Sequence, residues 1–174
     1  MSGNPDNVQA GPGWLFVATI ATPDPTDATT ALGTAWSAIG YTEDGNVTTI
    51  EQKSEGLPVA EERMPVKTYI TEQSVRVKFS MAEITARNLL MALNGGIVAD
   101  PAAVEFSTGE TRVKIVHETV TGARWLYRKC LQVGTVELAS AKAPKKRLIP
   151  VEFALEGVPG LPPFTAWPAA DGLI

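Results

Sequence analysis

The chain has 174 residues, 44% of them hydrophobic and 20% charged, with 15 glycines and 13 prolines, which suits one globular domain with irregular extensions and excludes a collagen, a coiled coil or a wholly disordered polymer. Its single cysteine, Cys130, and single histidine, His117, exclude an intrachain disulfide, a cysteine-rich zinc site and a histidine metal cluster. The formal charge of −4 is uneven, with nine acids against Lys53 alone in residues 1 to 62 and ten acids against fourteen bases in the rest, a pattern suited to contact within one chain or head to tail between copies.

No apolar run approaches the ~18 residues of a membrane span, and no base precedes Lys53, so neither membrane insertion nor a secretory leader is expected and synthesis in the cytosol is. Residues 1–13 hold Gly, Pro and Asn with little to bury, and read as a flexible arm. Trp14 to Ile20 is the first strand candidate. Pro23 to Thr30 reads as an exposed loop, because its prolines lack a ladder donor and its Asp and Thr residues favour turns. The stretch from Thr34 ends in a turn signal at Glu43-Asp44-Gly45. Asn46 to Lys53 then reads as a strand, and the acidic stretch Glu55 to Glu62 as a loop.

Val66 to Ser80 predicts a long strand whose apolar parity switches from even (Val66, Ile70) to odd (Val75, Val77, Phe79), which places a bulge near Glu72 to Ser74. Ser80-Met-Ala-Glu83 has the spacing of a capping box. It predicts a helix over about 81–94, closed at Asn94-Gly95-Gly96. Met81, Ile84, Leu89, Met91, Ala92 and Leu93 spread over half the helix circumference with Leu90 beyond them, an arc wider than one packing face needs. Either the helix is deeply packed, or Leu89 and Leu90 help form a face shared with a neighbouring subunit. Asn88 falls inside the arc and needs a hydrogen-bond partner there.

Short strands are expected at 103–106, 112–118, 124–133, 135–139 and 148–156. Val151, Phe153 and Leu155 alternate with Glu152, Ala154 and Glu156, the clearest period-2 pattern in the chain. Strands spaced by turn signals around one helix point to a mainly β fold, an antiparallel β-sandwich or barrel flanked by one α-helix, over residues 14–156. Residues 157–174 are rich in Pro and Gly yet carry Phe164 and Trp167, and read as an assembly arm whose aromatic side chains anchor on another subunit.

No constellation supports catalysis, a cofactor or a metal. His117 lies in a strand with Val113 and Ile115 on its own face, which suits a packed histidine better than a triad base. Cys130 sits among Leu126, Leu131 and Val133, the setting of an inert buried thiol. Glu43 to Asn46 lacks the later acid of a calcium loop. Lys142, Lys145, Lys146 and Arg147 form a basic cluster, read first as a solvated loop, second as the counterpart of Glu55, Glu61 and Glu62 on another copy, and third as a nucleic-acid contact.

Trp36 to Gly45, then Pro65-Val-Lys67, then Ser74 through the helix to Gly96, then Leu148 to Phe153 together resemble the major tail tube protein of long-tailed, non-contractile bacteriophages, over about residues 32 to 156. The resemblance implies a two-sheet β-barrel flanked by one helix, six copies in a ring, and rings stacked into a hollow tube that conducts double-stranded DNA in transit. It also implies other tail proteins as partners, such as the tape measure and the tail terminator, and a place in the virion tail after assembly in the bacterial host cytoplasm. The loop from Pro23 to Thr30 and the Pro-rich tail are less typical of that family. The competing class is a β-sandwich module that binds a carbohydrate or protein ligand, against which Trp14, Trp36, Trp125 and Trp167 fall in widely separated segments.

Overall fold

The computed structural model describes residues 13–58, 64, 67–94, 109–138 and 147–168. The elements run β1 (Gly13–Thr19), β2 (Ser37–Ala38), β3 (Thr42–Leu57), β4 (Lys67–Met81), α1 (Ala86–Ala92), β5 (Arg112–Thr119), β6 (Arg124–Gln132), β7 (Ile149–Leu155) and β8 (Phe164–Trp167). Every ladder between them is antiparallel. The fold is therefore mainly β, with one helix among the described residues. The strands join in one continuous path, β2-β1-β5-β6-β7-β4-β3, and β8 branches from β6.

The fork at β6 has a local cause. Residues Arg124 to Tyr127 pair with β8, while Cys130 to Gln132 pair with β7. On the other edge the register with β5 shifts between Val113 and Ile115, and such an irregularity bends a strand. At the bend the Arg128 N–H donates to the Pro163 carbonyl at 3.0 Å, and the Lys129 carbonyl accepts from the Glu156 N–H at 2.8 Å. One strand thus leaves its first partner and takes a second without orphaning backbone groups.

Strand alternation builds the core. Leu15 and Val17 of β1, Val113 and Ile115 of β5, Tyr127 and Cys130 of β6, Val151 and Phe153 of β7, and Val77, Phe79 and Met81 of β4 all enter one buried cluster. Residues of β1 and β4, next to the two ends of the path, share this cluster, so the sheet curls around it. Phe79 and Phe153 stack with ring centroids 5.8 Å apart. On the back of β1, β5 and β6 a second buried layer holds Ala18, Val116, Ala123 and Leu126 with Arg124 and Arg128. Loop 20–36 and the segment before β8 cover it, as hydrogen bonds to the Thr22, Asp27 and Pro162 carbonyls show.

The helix departs from expectation at its start. It spans Ala86–Ala92 rather than 81–94, and its cap is Thr85, whose hydroxyl accepts from the Asn88 N–H at 3.2 Å. Ser80 and Met81 remain in β4, paired with Pro150 and Ile149. Glu83 caps no helix; its carboxylate accepts from the Tyr41 N–H at 3.1 Å. Strand pairing on both sides of Ser80, with Glu43 and Pro150, outweighs a local capping motif. Asn88 finds the partners its burial requires, donating to the Ile39 and Glu83 carbonyls at 2.9 and 2.8 Å. Beyond the Leu93 cap, Asn94 takes φ +57°, a left-handed conformation that Asn tolerates.

β3 and β4 also differ in extent. β3 runs from Thr42 to Leu57, through the expected turn at Gly45 and into the expected acidic loop. Asp44 and Gly45 are absorbed as extra residues between the pairs Glu43↔Ser80 and Asn46↔Phe79, with Gly45 at φ +70°. The parity switch in β4 is real: Lys53 pairs Glu72 and Ser54 pairs Ile70, which leaves Thr71 as the extra residue. Thr135 to Leu138 forms no strand, and the strand expected at 103–106 lies outside the described residues. The sheet does not stop at Glu156, because Phe164–Trp167 joins it as β8.

Candidate assembly surfaces

The first surface is a ribbon. β4 pairs β7 only from Arg76 to Met81, so among the described residues Lys67 to Val75 pairs only with β3, from Ile50 to Leu57. At ~3.3 Å per residue this two-stranded part extends about 30 Å. Ile50, Leu57, Tyr69 and Ile70 are 56%, 51%, 48% and 57% exposed along it. The Lys67 ammonium lies 5.0 Å from the Tyr69 ring centroid, and Lys53 pairs with Glu72. A two-stranded ribbon with exposed apolar side chains is marginal in water, and among the described residues the far edge of β3 has no strand partner, which leaves a row of backbone groups open to pairing.

The second surface is the polar face of β3, β4, β7 and the second half of β6. Period-2 geometry turns Arg76 and Lys78 away from the core, opposite Val77 and Phe79. Glu152 lies between them, 2.8 Å from the Arg76 Nη1 and 3.0 Å from the Lys78 Nζ. Glu156 repeats the arrangement, 3.0 Å from the Arg112 Nη2 and 2.7 Å from the Lys129 Nζ. Each carboxylate is thus held by two cations. Hydrogen bonds from Arg76 and then Lys78 keep Glu152 below the usual carboxylate range. Those from Arg112 and then Lys129 bring Glu156 down to about 2.

The third surface lies on loop 20–36. Asp27 accepts from the Thr29 and Thr30 N–H groups at 2.7 and 2.5 Å, which stiffens the turn. Asp24 meets both Lys114 and Arg128. Burial works against its charge, yet the hydrogen bonds from Lys114 and Arg128 hold its pKa below the ordinary value.

The residues singled out from the sequence fall differently. Glu55 lies in β3 opposite Tyr69, exposed, in a strand rather than a loop. Arg147 is exposed just before β7. Neither takes part in an ion pair among the described residues, and Glu61, Glu62, Lys142, Lys145 and Lys146 lie outside them. Leu90 is 7% exposed and Leu89 packs partly buried against the core, so most of the wide apolar arc is used within the chain. Phe164, expected to anchor on another subunit, packs against Tyr127 and Trp125 of its own chain, with centroids 5.2 and 6.4 Å away. Trp167 pairs with Arg124 of the same β6. The residues missed were the cations of the polar face, although the alternation in β4 and β7 already placed Arg76, Lys78, Glu152 and Glu156 opposite the core.

His117 is buried, edge-on to Trp125 at 5.3 Å, and burial lowers its pKa. Cys130 is fully buried, and burial pushes its thiol far up. Among the described residues no group of His, Cys, Asp and Glu is arranged to hold a metal ion, and no helix is long and apolar enough to cross a membrane.

A chain of the solved structure described as the cryo-EM structure of the anti-feeding prophage (AFP) baseplate, 6-fold symmetrised, matches with a TM-score of 0.50 and 11% identity, over 98% of this chain and 99% of that one. At this identity the likeness concerns the fold. No curated protein matches. A family model described as phage tail tube protein matches residues 1–128, which take in β1 to β5 and the first half of β6, and the chain belongs to the phage tail tube protein family.

Proposed function

We propose that this structural tail protein is the repeating subunit of the hollow tube of a long-tailed, non-contractile phage, six copies to a ring and rings stacked along the tail. The observation that carries the reading is the uncovered β3–β4 ribbon. A second copy covers it, because one patch meeting a different patch on an identical neighbour repeats without limit. The acidic residues Glu55, Glu61 and Glu62 face Lys142, Lys145, Lys146 and Arg147 across copies, and Leu89 contributes the remaining exposed part of the helix arc. The polar face of β3, β4, β7 and β6 lines the lumen. Arg76 and Lys78 meet Glu152, Lys129 meets Glu156, and Arg112 meets both Glu156 and Glu110, so four cations are largely offset by three carboxylates and the face neither grips nor strongly repels a passing duplex, as a conduit for DNA requires. Tape measure and terminator proteins are the partners at the lumen and tube end, and assembly takes place in the host cytoplasm.

The test is negative-stain microscopy of the concentrated chain beside a variant with Tyr69→Asp and Ile70→Asp. The expected result is rings or tubes from the parent and folded single particles from the variant. Normal tubes from the variant overturn the role of the ribbon. Compact particles of the parent that bind glycan favour a ligand-binding module instead.

A further inference from the structure

Arg128 sits at the β6 fork with only 9% of its surface exposed, and its guanidinium holds side-chain and backbone acceptors of two segments at once. Its Nε donates to the Asp24 carboxylate in loop 20–36 at 2.6 Å. Its Nη1 donates to the Pro162 carbonyl and, at 2.7 Å, to the Thr165 hydroxyl of the C-terminal segment. A guanidinium is planar and its donors are fixed relative to one another. If Asp24 moves, the plane rotates and Nη1 leaves its acceptors. If the C-terminal segment moves, Nε is misaimed at Asp24.

β8 is the element most exposed to this lever. It pairs with β6 over four residues, Phe164 to Trp167, and with no other strand among the described residues. Only Phe164 among them packs against the core cluster. Strands with few apolar contacts open at low cost, so the polar hold at Arg128 is a large share of what keeps β8 in place. The loop is bound more broadly, through Lys114 to Asp24 and Thr22 and through Arg124 to the Asp27 carbonyl.

We propose that loop 20–36 and strand β8 form one coupled unit read through Arg128, so that a subunit contacting the loop sets how firmly the C-terminal strand is docked. The identity of that contacting subunit as a second copy rests on the tube reading above; the coupling itself is a property of the single chain. Linkage makes it reciprocal. Loosening either segment therefore loosens the other.

Hydrogen exchange followed by mass spectrometry on the purified full chain tests this. Asp24→Asn removes the charge that Arg128 faces, and the expected result is exchange at 164–167 faster by about tenfold, the scale of one charge-assisted hydrogen bond. Thr165→Val should speed exchange across 22–30 by a similar factor, while peptides from β4 and β5 keep their parent rates. The double variant should fall short of the product of the two single effects. If each variant speeds exchange only in its own segment, or the double effect is the plain product, the coupling is overturned. Should Asp24→Asn fail to fold, Thr165→Val and Thr165→Ser decide the matter, because the serine keeps the acceptor and must leave the loop at its parent rate. The same variants viewed by microscopy report tube formation separately, so a failed tube reading and a failed coupling give different results.

Discussion

The hydroxyls of Thr48 and Tyr127 lie 2.6 Å apart and tie β3 to β6 across the curl of the sheet. No ladder joins these two strands. The bond is therefore a direct measure of whether the curl is closed, and burial pushes the Tyr127 phenol up to about 12, so it stays neutral over the working range of pH.

Tyr127→Phe and Thr48→Val should each lower stability by about 1 kcal/mol, the net worth of a neutral hydrogen bond whose other partner is left behind. The double variant should cost clearly less than the sum. Chemical denaturation of the four proteins measures this, and full additivity would mean that the two hydroxyls do not act as a pair.

A second expectation concerns acid. The Glu156 pKa is about 2 in the folded chain against 4.5 for the free side chain, held there by Arg112 and then Lys129. A carboxylate depressed in this way binds protons more readily when unfolded, so its stabilisation is complete above about pH 4.5 and is lost as the pH falls towards 2. Glu156→Gln should flatten that part of the stability curve. Glu152→Gln should act in the same direction, since Arg76 and Lys78 depress Glu152 as well. An unchanged acid limb in both variants would remove the two clusters from the account of acid stability.

Gly40 joins β2 to β3 at φ +90°, and a Cβ there would run into the Glu83 carboxylate. Gly40→Ala should cost roughly 1–3 kcal/mol from backbone strain alone. It should also free the Tyr41 N–H from its Glu83 partner, detectable as faster exchange at that amide.

Leu90→Ala should cost about 2–4 kcal/mol, as for a large-to-small change in a core. Leu89 is less buried, and its replacement by Ala should cost less. Thermal unfolding orders the two. Equal costs would place both side chains at the same depth, against the burial described.

Much of this fold was legible because most strands carry their own pattern. Val113, Ile115 and His117, then Val151, Phe153 and Leu155, alternate cleanly, and β5 and β7 lie where that alternation ends. The parity switch in β4 foretold a bulge near Glu72 to Ser74 for the same reason, and the extra residue lies just before that stretch, at Thr71. The helix start was misread because Ser80 and Glu83 satisfy a local motif while Pro150 and Tyr41, remote in sequence, compete for the same residues. β8 was missed because four residues among prolines give no period. On the polar face, alternation put Glu152 and Glu156 on one side, but which cations meet them depends on β4 and β5 being brought alongside from 76 and 44 residues away. Such pairings are properties of topology, not of local sequence.

The depth at which Cys130 sits has a practical consequence. Its sulfur is sealed in the core and its ionisation is suppressed by burial, so the thiolate needed for alkylation or exchange is scarce while the chain is folded. The protein is in effect a thiol-silent background. A cysteine placed at Ser54 on the ribbon, or at Ala166 on β8, would be the one site that a maleimide dye labels, and the native Cys130 would become reactive only on unfolding, giving an internal report on whether a labelled subunit is still intact.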